Sequence, residues 1–376
     1  MKFNKIYIIY LNYSLSFLGS IFFIIFANYL KLENIDKYIF ILSLSAVFAS
    51  SIYSSSIKSK LEEKIIVINL TKNSLKALSI IYILILFYLF FKENYFLSIF
   101  LTFTILYETC LNLFAISFIK RNDTFKHSKF LVYISILKNL CLILSAFFIN
   151  FLHIVLIFYL IFLIVFISKF KSLGVIFKQN KKPFNLIDLF YVITGSLIFQ
   201  VDKIIGESIL DKSSYITYFL IFKFASLFQV VGGLLTQPLR NVMISSEKVS
   251  LNLNKKLIIN IFLIFLLIIF SNIFLLLMNK VNIFNIYIFE INLVNIAIFN
   301  FLAISILFHI YSGFFIDALF INNKGKILFV TNLIILSLIL LFLITFESLL
   351  LWSATMCSSQ LIMLILFKII YMRYVR

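Results

Sequence analysis

Six ionisable residues stand inside or beside long apolar runs: Glu108, Lys138, Asp202, Lys203, Lys223 and Asp317. A charge at the centre of a lipid-spanning helix costs about 2.5–3.5 kcal/mol on insertion scales, so it faces a cavity or a partner. Two kinds of chemistry are open to such residues. A lysine is a compact point charge with three donors, suited to a pyrophosphate or an acidic sugar. A carboxylate can take a coupling proton or sodium ion, the role open to Glu108 and Asp317. At each position the alternative is structural: an internal ion pair, or a solvated residue at the end of a span.

The spacing sorts these residues into groups. At about 1.5 Å per helical residue, Glu108 lies roughly 17 Å and Lys138 roughly 13 Å from the cytoplasmic edges of consecutive antiparallel spans. They are expected to pair or to face a cavity together. Asp202 and Lys223 fall on either side of a hairpin. They form either a clasp near the outer interface, with Lys203 snorkelling to headgroups, or a cavity in which Lys223 holds an anionic group. Asp317 sits near the cytoplasmic end of its run. Arg240 follows Pro238 and reads as a cytoplasmic anchor or as an entry gate for a headgroup. Asp188, at the start of its span, is ordinary for an inner interface.

Other chemistries find little support. Cys110, Cys141 and Cys357 are far apart, as are His127, His153 and His309. No pair has metal-ligand spacing, and no disulfide framework is implied. No phosphate-binding loop or nucleophile motif occurs, so ATP hydrolysis is not supported and no cofactor is expected.

The elements that must position these residues are membrane spans. The 376-residue chain is 63% hydrophobic and 13% charged, whereas soluble domains hold about 45–50% apolar and about 25% charged residues. Its net charge of +18 would suggest nucleic acid in a soluble protein. Here the basic residues lie between apolar runs, and cytoplasmic anchoring accounts for them better. A bilayer core needs about 20 apolar residues as a helix. Cutting at the charge clusters predicts twelve spans: 7–29, 38–57, 76–91, 95–119, 130–149, 151–168, 185–206, 215–238, 257–278, 291–320, 327–346 and 348–370. The first is too long for a signal-peptide core and reads as a retained span.

Of the 33 Lys and Arg, 25 fall in the two termini and the alternate loops between them. Only Lys31, Lys37, Lys92, Lys212 and Lys280 fall in the other loops. Lys138, Lys203 and Lys223 lie within or at the edge of spans. By the positive-inside rule both termini are cytoplasmic. The basic linker 169–183 divides the chain into an N-terminal six-helix bundle, 1–168, and a C-terminal six-helix bundle, 184–376. An echo supports a repeat: "DKY" (Asp36 to Tyr38) follows the first span and "DKSSY" (Asp211 to Tyr215) the seventh. Parallel repeats of this kind occur in transporters.

Small and polar residues mark further lines. Asn12, Ser16 and Gly19 share a face of the first span, and Ser43, Ser50 and Ser54 lie on the second. Helix–helix contact and a hydrated sugar cavity are both open. Gly195, Gly206, Gly232 and Gly233, with Gln229, Gln237 and Pro238, concentrate in the seventh and eighth spans, where they favour close packing or bending.

Two basic-linked six-span halves with short loops resemble the multidrug/oligosaccharidyl-lipid/polysaccharide exporter superfamily. The stretch "FQVDKIIGESIL…SSYITYFLIFKF" is similar to a pattern of its polysaccharide and O-antigen flippases. That pattern is Asp202, Lys203, Ile204, Ile205, Gly206, then a turn, Tyr215 and Pro238. The chain departs from it in being short and in having Ser213-Ser214 where a glycine is usual. The resemblance implies an all-α, polytopic fold and a V of two bundles around a central, often cationic cavity. It implies translocation of an undecaprenyl-pyrophosphate-linked oligosaccharide across the bacterial inner membrane by alternating access, for O-antigen or capsular polysaccharide. Lys138, Lys223, Asp202, Lys203, Glu108 and Arg240 are then substrate-binding candidates. A polysaccharide polymerase and a chain-length regulator are implied partners, and nucleic acid is not. The alternatives are a drug or cation antiporter and, in a different class, a membrane polymerase or glycosyltransferase. The last is disfavoured because the outer loops are short and lack arginine.

Overall fold

The computed structural model describes residues 35–58, 66–68, 72–91, 95–120, parts of 133–144, 151–173, 175–177, 184–226, 228–229, 259, 262–273, 292–322, 324–346 and 348–374. The expected first span, residues 230–258 and Arg240 lie outside the described residues. Two compact units divide the chain, Met1–Ile204 and Ile205–Arg376.

The first unit contains α1 (Ile35–Lys58), β1 (Ile66–Ile68), α2 (Lys72–Phe91), α3 (Tyr95–Lys120), α4 (Phe151–Leu173), β2 (Val175–Phe177) and most of α5 (Leu186–Ile209). Its centre is aromatic. Tyr107 of α3 stacks on Tyr159 of α4 with ring centroids 4.5 Å apart, and Phe162 meets the same ring edge-on at 4.8 Å. Helix α1 packs on α3, and α3 on α4. Helix α2 buries only Ser74, Leu78 and Leu89, and exposes Leu75, Ile80, Leu84, Phe87 and Phe91. A face of that composition suits lipid rather than water.

The entry to α5 is fixed by a reciprocal cap. Asn185 Oδ1 accepts from the Asp188 backbone N–H at 2.9 Å, and Asp188 Oδ2 accepts from the Asn185 N–H at 3.1 Å. This capping box satisfies donors that the first helical turn leaves open. It gives Asp188 a structural task, in keeping with its place at the start of the span.

The two strands depart from a purely helical expectation. They form a parallel pair with Ile66 opposite Val175 and Ile68 opposite Phe177. Both lie in segments read from the sequence as basic loops, where the short β-branched and aromatic runs "IVI" and "VIF" favour extended backbone. The pairing brings the chain segments that follow α1 and α4 to the same side of the unit. That agrees with the charge alternation, which assigns both loops to one side.

The second unit contains the end of α5, α6 (Lys212–Ala225), α7 (Phe262–Ile273), α8 (Leu293–Ile321), α9 (Gly325–Thr345) and α10 (Leu349–Tyr374). Ser305 Oγ of α8 donates to the Met356 carbonyl of α10 at 3.4 Å, and Phe315 meets Tyr371 at 5.5 Å. Later residues of α8 thus meet later residues of α10, and the two helices run parallel. Helix α9 joins them in the chain and packs mainly on α10. It buries Leu328, Asn332, Ile335, Ile339 and Leu343, a stripe at helical spacing, and exposes apolar residues elsewhere. Helices apolar all round are those of membrane spans or large cores.

Five of these helices are long and apolar enough to cross a membrane: Lys72–Phe91, Leu186–Ile209, Leu293–Phe320, Gly325–Thr345 and Leu349–Tyr374. Shorter apolar helices accompany them at Tyr95–Leu111, Leu152–Phe166 and Phe262–Ile273. This is the helical architecture of a multi-pass membrane protein.

Candidate functional site

Among the described residues of the first unit, the embedded charges singled out above stand at two places. On α3, Glu108 Oε1 lies 3.7 Å from Lys138 Nζ, with both side chains about a quarter exposed. This is the partnership that their similar depth suggests. The Lys138 ammonium also stands 5.6 Å from the centre of the Tyr107 ring, a distance at which the ring face attracts a cation. The pair therefore joins the aromatic centre of the unit on one side and an accessible surface on the other.

The second place is Asp202–Lys203 on α5. Asp202 is fully buried and the Lys203 side chain is 2% exposed; Lys203 Nζ donates to Asp202 Oδ1 at 2.8 Å. The same ammonium donates to the Phe199 carbonyl one turn back, at 2.8 Å, and lies 5.3 Å from the Phe199 ring centre. This corrects the expectation that Lys203 snorkels to headgroups. Helix α5 runs on to Ile209, which places Lys203 about 9 Å from the helix end at 1.5 Å per residue. Turning back to its own helix satisfies the ammonium without reaching the interface.

Beyond this pair α5 ends in a tight joint. Gly206 lies under the Tyr215 ring: a Cβ there would stand 2.9 Å from Tyr215 Cδ2 and Cε2, and 3.4 Å from Trp352 Cζ3. Asp211 caps α6, accepting from Ser214 N at 3.0 Å and from Ser213 Oγ at 2.6 Å. These hydrogen bonds hold the Asp211 carboxyl well below the usual carboxylate range. Where the resemblance leads one to expect glycine, the two serines thus serve as capping donors. Trp352 meets Tyr218 edge-on at 6.2 Å, and its indole N–H donates to the Phe346 carbonyl. The residues of the sequence pattern from Gly206 to Tyr215 therefore form one interlocked corner.

Lys223 lies in the last turn of α6, half-buried, with its ammonium 5.1 Å from the Phe219 ring centre. Asp317 is in α8, but its side chain, like all of Arg240, lies outside the described residues. On α1, Ser50 Oγ bonds Ser196 Oγ of α5 at 2.6 Å, so at that position the serine line makes helix contact. Asn12, Ser16 and Gly19 lie outside the described residues.

Sequence reasoning passed over two buried residues of the last helix. Trp352, the single tryptophan of the chain, and Gln360 are both wholly buried. Their signal was available: a lone indole and an amide within the 26-residue helix α10. Among the described residues no group of three His, Cys, Asp or Glu is placed to hold a metal ion. No family model matches this chain, and no curated protein matches it.

Proposed function

We propose that this protein is a lipid-linked oligosaccharide flippase of the multidrug/oligosaccharidyl-lipid/polysaccharide exporter type. In this reading twelve spans form two six-helix bundles with both termini cytoplasmic. The protein carries an undecaprenyl-pyrophosphate-linked repeat unit from the inner to the outer leaflet of the bacterial inner membrane by alternating access.

One observation carries the reading. The Asp-Lys-Ile-Ile-Gly…Tyr pattern coincides with a buried ion pair, Asp202–Lys203, followed one turn later by the Gly206–Tyr215 corner. Ionised residues are retained inside an apolar helix mainly where they serve a pathway or a partner. The alternation of basic loops supports the topology. The described embedded carboxylates, Glu108 and Asp202, each stand against a lysine. A drug-cation antiporter needs an acidic site that dominates the cavity, and carboxylates matched by lysines do not supply one.

In the mechanism that follows, Lys138 and Lys223 supply ammonium groups to the pyrophosphate as it passes, each a set of three rotatable donors. Glu108 holds Lys138 in place until the anion competes for it. The interlocked corner keeps α5 and α6 together while the bundles rock. A gradient or downhill consumption of the product supplies the energy.

Lys223→Glu is expected to lower surface polysaccharide at least about tenfold, since a charge-assisted hydrogen bond is worth about 1.5–3 kcal/mol. Its level in the membrane should be unchanged, and Lys223→Arg should retain activity. Immunoblots of membranes beside polysaccharide gels check this. Full activity in Lys223→Glu removes that residue from the substrate path.

A further inference from the structure

The first unit carries its two strands on the side that the charge alternation assigns to the cytoplasm. Strands β1 and β2 pair in parallel, with Val67 opposite Ile176. Among the described residues no third strand joins them. The two strands are not held alike. Strand β1 packs on α1 and α3, whereas the main contact of β2 is β1 itself. Strand β2 therefore has one edge on β1 and a second edge that no described strand covers. Backbone N–H and C=O groups alternate along such an edge and call for partners.

Positive charge gathers around this sheet. Lys58 is the last residue of α1. Lys72 and Lys76, at the start of α2, are exposed. Lys169 and Lys171 lie near the end of α4. In sequence, Lys178 follows β2 directly, and Lys181 and Lys182 come soon after. Segments 58–76 and 169–183 hold ten lysines, and Glu62 and Glu63 are their only carboxylates. Both glutamates precede β1, so the segment that contains β2 has none. The two segments also meet away from the strands: Ser74 Oγ of α2 donates at 3.2 Å to the carbonyl of Phe184, the residue after the second segment.

Three occupants can be weighed for an edge of this kind. A second copy of β2 is disfavoured, because lysines beside an edge repel a strand that brings the same lysines. Anionic headgroups answer the charge but cannot continue a ladder of alternating amide donors and acceptors. An extended segment with acidic side chains answers both. Its main chain lengthens the sheet, as in strand addition, and its carboxylates meet the lysines.

We propose that the outer edge of β2 is a docking site for an extended, acidic segment of a cytoplasmic protein, which adds to the sheet as a third strand. Paired strands become stable on their own only when further strands or a helix join them, and β2 gains from the partner what β1 gains from α1 and α3. Main-chain hydrogen bonds supply the affinity and the lysines select an acidic partner. The sidedness comes from the charge alternation, so the proposal does not rest on the flippase reading.

The test uses the full chain in phosphatidylcholine nanodiscs and a fluorescent peptide of alternating glutamate and valine. The peptide should bind saturably, and its lysine–valine counterpart should not. With 13C at its carbonyls, the bound peptide should show the infrared band of a β-strand. Methylation of its backbone nitrogens keeps every charge, removes the donors, and should abolish binding. Lys178→Glu, Lys181→Glu and Lys182→Glu together should weaken binding at least about tenfold. Lys324→Glu with Lys326→Glu, in another loop assigned to the cytoplasm, should leave it unchanged. If the triple variant does not reach the membrane, the methylated peptide tests the same point on the native chain. Absence of binding overturns the proposal. So does equal binding of the methylated peptide, which would leave charge as the sole attraction. So does loss of binding when phosphatidylglycerol is added to the discs, which would assign the lysines to lipid headgroups. No oligosaccharide is present, so these results stand whether or not the protein proves to be a flippase.

Discussion

Asp202→Ala will destabilise the protein by about 3–5 kcal/mol, the cost of leaving one member of a buried ion pair without the other. The geometry gives the reason. Lys203 Nζ is enclosed, with Asp202 Oδ1 at 2.8 Å and the Phe199 carbonyl at 2.8 Å. Removing the carboxylate takes away the anion nearest to an enclosed ammonium, at 2.8 Å. The thermal midpoint of the solubilised variant, compared with wild type, measures the loss. The double variant Asp202→Leu, Lys203→Met should recover the stability, because apolar replacements of buried pairs are often neutral or stabilising by about 1–4 kcal/mol. Transport separates the two roles of the pair. The flippase account predicts a stable double variant that no longer supports surface polysaccharide. A stable double variant with full activity would show the pair to be structural alone.

A second large effect is expected at Gly206. Alanine ordinarily gains about 1 kcal/mol over glycine inside a helix. Here its Cβ would meet the Tyr215 ring at 2.9 Å, with the Trp352 ring at 3.4 Å behind it. Both rings are almost fully buried, so neither can swing aside freely. Overpacking costs about 1–3 kcal/mol, and Gly206→Ala should lose stability despite its better propensity; Gly206→Val should lose more. Gly313 supplies the control. A Cβ there meets nothing within 4 Å, so Gly313→Ala should stabilise by about 0.5–1 kcal/mol. Opposite signs at two helical glycines, read from thermal midpoints, test the close contact directly. Equal behaviour would mean that the α5–α6 corner is looser than its geometry.

Much of the helical framework was legible because apolar runs and charge clusters alternate so cleanly. The expected spans 95–119 and 291–320 differ by no more than two residues at either end from Tyr95–Lys120 and Leu293–Ile321. Departures have local causes. Helix α2 starts at Lys72 rather than residue 76, since lysine and asparagine at a helix end need no lipid and lengthen it into the polar zone. Helix α5 continues through Gly206 to Ile209, because this glycine admits a neighbouring ring rather than ending the helix. Helix α6 begins at Lys212 rather than residue 215; the cue was Asp211, whose side chain reaches Ser214 N as an N-cap.

Depth along a helix was easier to read than direction around it. Equal depth suggested Glu108 with Lys138, and the two meet. The buried partnership of Asp202 with its immediate neighbour was missed. Adjacent residues point in different directions on a helix, and only the lysine's length lets it turn back. Buried Gln360 was missed because an uncharged amide barely lowers the apolar character of a span. Parallel strands at 66–68 and 175–177 were hidden by the distance in sequence between their partners.

The central claim is translocation, and its most direct measurement is the location of the lipid-linked oligosaccharide in cells lacking this protein. A periplasmic ligase that acts only on outer-leaflet substrate serves as the reporter. The flippase account predicts that complete repeat units accumulate on undecaprenyl pyrophosphate at the cytoplasmic face, that the ligase receives none, and that no surface polymer forms. Single repeat units that still reach the ligase but never lengthen would contradict it, and would make this protein a polymerase.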